Sequence, residues 1–87
     1  MVLFVDMITP IEKAIEICNG QVGLSGKSGI PQPTISAWVN RFNFKVGAEF
    51  VITVASATDW QITPHQLRPD LYPHPNDGLP EHMRSAA

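Results

Sequence analysis

Residues 21–38, Gln-Val-Gly-Leu-Ser-Gly-Lys-Ser-Gly-Ile-Pro-Gln-Pro-Thr-Ile-Ser-Ala-Trp, restrict this chain more than any other stretch. They read as two short helices joined by a tight turn over Gly29, Ile30 and Pro31. The first helix, about residues 21–28, is weakly encoded. Gly23 and Gly26 each cost ~1 kcal/mol against alanine in a helix interior, Leu24 is the only large apolar anchor, and Ser28 stands where an apolar residue is expected. The second helix opens at Gln32 with Pro33 in its first turn, where a missing N–H does no harm. Ile35, Trp38 and Val39 form its predicted buried stripe, with Phe42 one turn on. Thr34, Ser36, Ala37, Asn40 and Arg41 fall largely on the other side.

The remaining segments are helical too. Thr9-Pro10-Ile11-Glu12 is a capping box, followed by Ile11, Ala14, Ile15 and Cys18 at helical spacing and by a stop at Asn19-Gly20. Residues 43–47 read as a loop and residues 48–58 as a fourth helix. Thr63-Pro64-His65-Gln66 repeats the capping box and starts a short last helix that Pro69 ends. The expected fold is an all-α bundle of about five short helices. Its divisions are an apolar arm at residues 1–7, a core domain at 8–73, and a flexible tail at 74–87 that carries Pro75, Gly78 and Pro80. With 44% hydrophobic and 16% charged residues the chain is globular rather than disordered. Cys18 is the only cysteine, so no internal disulfide is possible; it belongs to the apolar face, and a reducing cytoplasm fits. No apolar run approaches the ~20 residues that span a bilayer.

The net charge of −2 argues against a strong polyanion binder if taken whole. Its distribution argues otherwise. Residues 17–48 contain no Asp or Glu, while Lys27, Arg41 and Lys45 lie within them.

The window also fits the helix-turn-helix pattern position by position. Gln21 stands first, the small Ser25 fifth, Gly29 ninth, Ile30 tenth, Ile35 fifteenth and Trp38 eighteenth. The small residue lets two helices cross closely, the glycine turns the chain, and the aliphatics lock the pair to the preceding helix. The second helix of such a motif is shaped to lie in the DNA major groove. Beyond the motif, Thr9-Pro-Ile-Glu-Lys-Ala-Ile-Glu16, Gln32-Pro-Thr-Ile-Ser-Ala-Trp-Val-Asn-Arg41 and Trp60-Gln-Ile-Thr-Pro-His-Gln-Leu-Arg-Pro-Asp-Leu-Tyr-Pro73 resemble Cro-type regulators of lambdoid phages and prophages. They are most similar to the YdaS-like group of Cro-like repressors and antitoxins. The resemblance implies a lambda repressor-like fold and a sequence-specific repressor that binds double-stranded operator DNA as a homodimer. Gly23, Gly26, Ser28 and Gly47 depart from the group's pattern.

Carried over residue by residue, the resemblance aligns Gln32 with a glutamine directed at adenine, whose N6 and N7 suit an amide. Gln21 is expected to hold a phosphate or brace Gln32. Thr34 and Ser36 offer hydroxyls, Ala37 a methyl for thymine, and Pro33 the helix start. Asn40 and Arg41 reach backbone or, for Arg41, a guanine, while Lys27 and Lys45 are expected to meet phosphates only. The alternative is an antitoxin or interaction module that works through a partner protein, with residues 1–7 as an arm pairing two chains. His65, His74 and His82 lack metal-site spacing. No nucleophile–base set is readable, so neither an enzyme, a cofactor, nor a small-molecule substrate is expected. Arg68, Asp70 and Tyr72 are expected to dock the chain end back onto the core.

Overall fold

Thr9 starts the first helix in the way its neighbours imply. Its backbone N–H donates to Glu12 Oε1 at 3.0 Å, and its Oγ1 accepts from the Glu12 N–H at 3.3 Å. In the computed structural model, which describes residues 9–83, this helix is α1 (Pro10–Ile17). It is followed by α2 (Gln21–Ser28), α3 (Gln32–Asn40), α4 (Val51–Ala57) and α5 (Pro64–Leu67). Short 3-10 turns lie at Ala48–Phe50 and Glu81–Met83, and no strand occurs among the described residues. The expected fourth helix therefore enters through a 3-10 turn before becoming α-helical at Val51. Residues 1–7, expected to be an arm, lie outside the described residues, as does the end of the expected tail from residue 84.

One core holds the helices together. Ile11 and Ala14 from α1, Leu24 from α2, Ile35 and Trp38 from α3, and Val51, Val54 and Ala55 from α4 are all buried in it. Fully burying a side chain of this size stabilises by ~1.5–3 kcal/mol, which is why helices of seven to nine residues persist here although such lengths are marginal in isolation. Trp38 meets Phe50 at a tilted 5.7 Å between ring centroids, which ties α3 to the entry of α4. Cys18 is buried and its thiol points at the Ala57 carbonyl at 3.6 Å. Burial pushes the thiol pKa up, opposed weakly by Lys27, so it is a core group with little thiolate character.

The α1–α2 corner explains the glycines that seemed costly. Asn19 takes the left-handed position (φ 66°), and Gly20, with φ 107° and ψ 174°, occupies backbone space open almost only to glycine. Its N–H closes on the Ile15 carbonyl at 2.7 Å. Gly23 then lies directly against the backbone of the corner: a Cβ there would coincide with the Cys18 carbonyl oxygen. Gly23 is a close-approach residue, not merely a weak helix former. Gly26 by contrast faces open space.

Ser28 is not misplaced either. Its hydroxyl donates to the Leu24 carbonyl at 2.7 Å and accepts from the Ile30 N–H at 3.1 Å. Ser25 donates to the Ile30 carbonyl at 2.6 Å. Both backbone groups of Ile30 are thus held by α2, while Gly29 turns in the left-handed conformation at φ 80°. The turn is clipped by two serines, and Ile30 is driven into the core at 2% exposure.

Two expectations are corrected. Phe42 is not in the buried stripe but 55% exposed, because α3 stops at Asn40 and the chain reverses through left-handed Asn43 and Phe44. Phe44 packs on the core instead. The packed body also does not end at residue 73. His65 Nδ1–H donates to the Tyr72 carbonyl at 2.7 Å, and the turn at residues 74–79 returns Leu79 to a buried position. Gly78 packs so tightly there that an added Cβ would fall 2.8 Å from Pro64 and 2.9 Å from Ile52. Proline and glycine mark a turn in this segment rather than the start of a loose tail.

Arg68 docks the chain end as expected. It donates from Nη1 to the Val46 carbonyl at 2.8 Å and forks onto Asp70, Nε to Oδ1 at 3.0 Å and Nη2 to Oδ2 at 2.8 Å. The hydrogen bonds from Arg68 hold the Asp70 carboxyl at about 2, below its ordinary 3.8. Because the folded value is the lower one, the pair contributes stability above about pH 4 and loses it as pH falls toward 2. Asp70 is half exposed, so solvent screening keeps the effect small. In thermal melts from pH 7 to pH 2, the gap between the natural chain and Asp70→Asn is expected to close by pH 2; a gap constant with pH would mean that the carboxylate charge plays no part.

Candidate nucleic-acid interface

The side of α3 facing away from the core is set by the positions of its anchors. Ile35 and Trp38 point inward, at 0% and 4% exposure, so at 3.6 residues per turn the opposite face is Pro33, Ser36, Ala37 and Asn40. Pro33 and Asn40 are exposed, and Ser36 and Ala37 half-buried. Gln32 stands exposed at the N-terminal end of this row, and its side chain makes no hydrogen bond among the described residues. Asn40 donates through Nδ2 to Ser36 Oγ at 3.0 Å, one turn apart along the face. Thr34 lies off the row and is half-buried. Arg41, exposed, follows at the C-terminal end.

Length, start and turn of α3 follow from local chemistry. Pro31 accepts from the N–H groups of Thr34 and Ile35, at 3.0 and 3.3 Å, and Pro33 has no N–H to leave unpaired. No carboxylate lies in the first turn of α3. The outcome is an uncharged ridge of small side chains, with the unpaired Gln32 amide at one end, the Asn40 amide tied to Ser36 toward the other, and a cation beyond. A ridge of this kind can approach base edges closely, because nothing bulky or acidic intervenes.

The other candidates distribute unevenly. Lys27 is exposed in the last turn of α2, where its charge also favours the helix C-terminus. Lys45 is exposed in the loop after α3. Neither is in an ion pair among the described residues. Gln21 is placed differently: it lines an open groove of about 370 Å³ with Glu12, Ile15, Glu16 and Val39. Two carboxylates beside it disfavour a phosphate, and no hydrogen bond joins it to Gln32. Nothing in one sequence could reveal that α1 and the start of α2 share a groove, since the angle between them depends on the Gly23 approach. The serine clip was legible in principle, because serine bonding back to the carbonyl four residues earlier is a common helix feature.

The profile of the family described as Bacterial toxin YdaS matches residues 11–76, which run from the second residue of α1 through α5. Neither the curated proteins nor the solved structures yield a match. The match covers most of the chain and runs three residues past the segment expected from the resemblance, into the turn that returns Leu79 to the core. This chain belongs to the YdaS family.

Proposed function

We propose that the protein is a sequence-specific DNA-binding repressor of the Cro type, acting as a homodimer on an inverted-repeat operator. The observation that carries this reading is the outer face of α3: Gln32, Pro33, Ser36, Ala37 and Asn40 in one unobstructed row, with no acid anywhere in residues 17–48. A helix in the major groove reads bases through side chains of this kind, and two copies related by a two-fold axis read half-sites one helical turn apart. Gln32 is the adenine-reading candidate; Ser36, Ala37 and Asn40 contribute contacts along the ridge, and Thr34 from its flank; Lys27, Arg41 and Lys45 neutralise phosphates. Repression follows from occupying a promoter. With so few cations, non-specific affinity is low and the salt dependence shallow.

Selection of bound duplexes from random DNA by the purified chain tests this directly. The expected result is enrichment of a palindrome containing adenine at symmetric positions. Recovery of no preferred sequence would overturn the reading.

A second reading follows from the family description. On it the chain is a toxin, or an antitoxin, that works mainly through a partner protein. The groove lined by Glu12 and Glu16 and the 70% exposed Val22 favour a protein partner on the α1–α2 side. Growth arrest on expression in a host, retained when the α3 face is substituted, would favour it over repression.

A further inference from the structure

We propose that the loop after α3 is a clamp for the sugar–phosphate backbone of duplex DNA, in which the exposed Phe42 ring packs on a deoxyribose while Arg41 and Lys45 pair with neighbouring phosphates; this rests on the DNA-binding reading above.

The starting observation is a large aromatic ring left in water in a well-tied loop. Phe42 is 55% exposed, although Phe44, two residues on, is packed on the core. The loop is held by its backbone. The N–H groups of Arg41 and Phe42 both reach the Ala37 carbonyl, at 2.7 and 3.0 Å; Phe44 donates to Trp38 at 2.7 Å, and Lys45 to Phe42 at 3.0 Å. The left-handed pair Asn43 and Phe44 fixes which ring turns inward. Phe42 therefore stands in a preset position, and a partner that meets it loses little ordering entropy.

The surroundings select the partner. Phe42 forms one wall of a groove of about 210 Å³ with Trp38, Lys45, Val46, Gly47 and Arg68. The Arg41 guanidinium carbon lies 5.8 Å from the centre of the Phe42 ring. Arg68 is already committed to Asp70 and the Val46 carbonyl, so the available positive charge belongs to Arg41 and Lys45. Glu49 borders the groove at Gly47, its Oε1 3.4 Å from where a Cβ there would lie, which disfavours an anion at that end and favours the Phe42 side. A surface with an apolar ring between two cations fits a chain of anions spaced by apolar sugar edges. It also continues the reading face. Arg41 follows Asn40 directly, and Phe42 is at most ~7 Å from Asn40 along the chain. A helix lying in the major groove brings its ends beside the bordering phosphates.

The test uses the full chain, the duplex recovered by selection, and a random duplex of equal length, with affinity read by fluorescence anisotropy across a salt series. Phe42→Ala is expected to weaken binding to both duplexes about fivefold and alike, since a backbone contact carries no sequence information. Phe42→Tyr is expected to retain affinity. Lys45→Gln is expected to lower the slope of log affinity against log salt by about one. Melting temperatures should not move. If Phe42→Ala binds both duplexes like the natural chain while Gln32→Ala loses selectivity, the clamp is wrong and the DNA reading stands. If the natural chain binds neither duplex, both fall. If Phe42→Ala instead splits a dimer in sedimentation and DNA affinity falls only with that loss, the ring belongs to a contact between two copies and the clamp is overturned.

Discussion

Gly23→Ala is expected to destabilise the fold by about 3 kcal/mol, at the upper end of the overpacking range, and to lower the melting temperature by ~12–24 °C for a domain of this size. The reason is backbone against backbone. The new methyl would coincide with the Cys18 carbonyl oxygen and lie 2.9 Å from its carbonyl carbon. No rotamer change relieves that, so α2 has to swing away from the end of α1. Swinging it would pull Leu24, which is fully buried, out of the core and would strain the hydrogen bonds that Ile30 accepts from Ser25 and donates to Ser28. Gly26→Ala makes the matched control. It sits in the same helix with nothing within 4 Å of its Cβ position, so only the helix preference remains, and stability should rise by ~1 kcal/mol. Thermal melts followed by circular dichroism read both variants. Equal and small shifts of the same sign would show that the close approach at Cys18 does not exist in solution.

Gln32→Ala is expected to reduce affinity for the selected operator by ~1–3 kcal/mol, which is the discrimination that one bidentate amide–adenine pair supplies. This corresponds to roughly 5–150-fold. Gln32 is exposed and its side chain makes no hydrogen bond within the domain, so the melting temperature should not change. The loss should be confined to the operator: binding to random duplex should stay near that of the natural chain, and selection with the variant should recover relaxed preference at one symmetric base pair. A uniform loss on all duplexes would move Gln32 from base reading to backbone contact. No loss at all would mean that α3 is not the reading helix.

The helix starts were the most legible part of the fold. Thr9 with Glu12 and Thr63 with Gln66 encode reciprocal caps within four residues, and both form as the spacing requires. The buried side of α3 was legible for the same local reason, since Ile35 and Trp38 repeat at helical spacing. Phe42 continued that spacing on paper and failed because the helix ended two residues earlier, a decision made by the left-handed turn and by Phe44 filling the core. Leu79 was hidden among prolines and glycines because this segment packs on α4 and α5, where Gly78 meets Ile52 and Pro64, and not on its neighbours in sequence.

By itself the sequence determined the order of the helices and the starts of all but α4, the turn at Gly29, the family and the acid-free stretch around α3, because each of these depends on residues a few positions apart. Only the tertiary structure decided what Gly23 is for, that Gln21 shares a groove with Glu12 and Glu16, and that Phe42 faces water beside Arg41 and shares a groove with Lys45. Those outcomes depend on how closely one helix approaches another. That distance is set by the summed packing of the core and cannot be read from any single window of the chain.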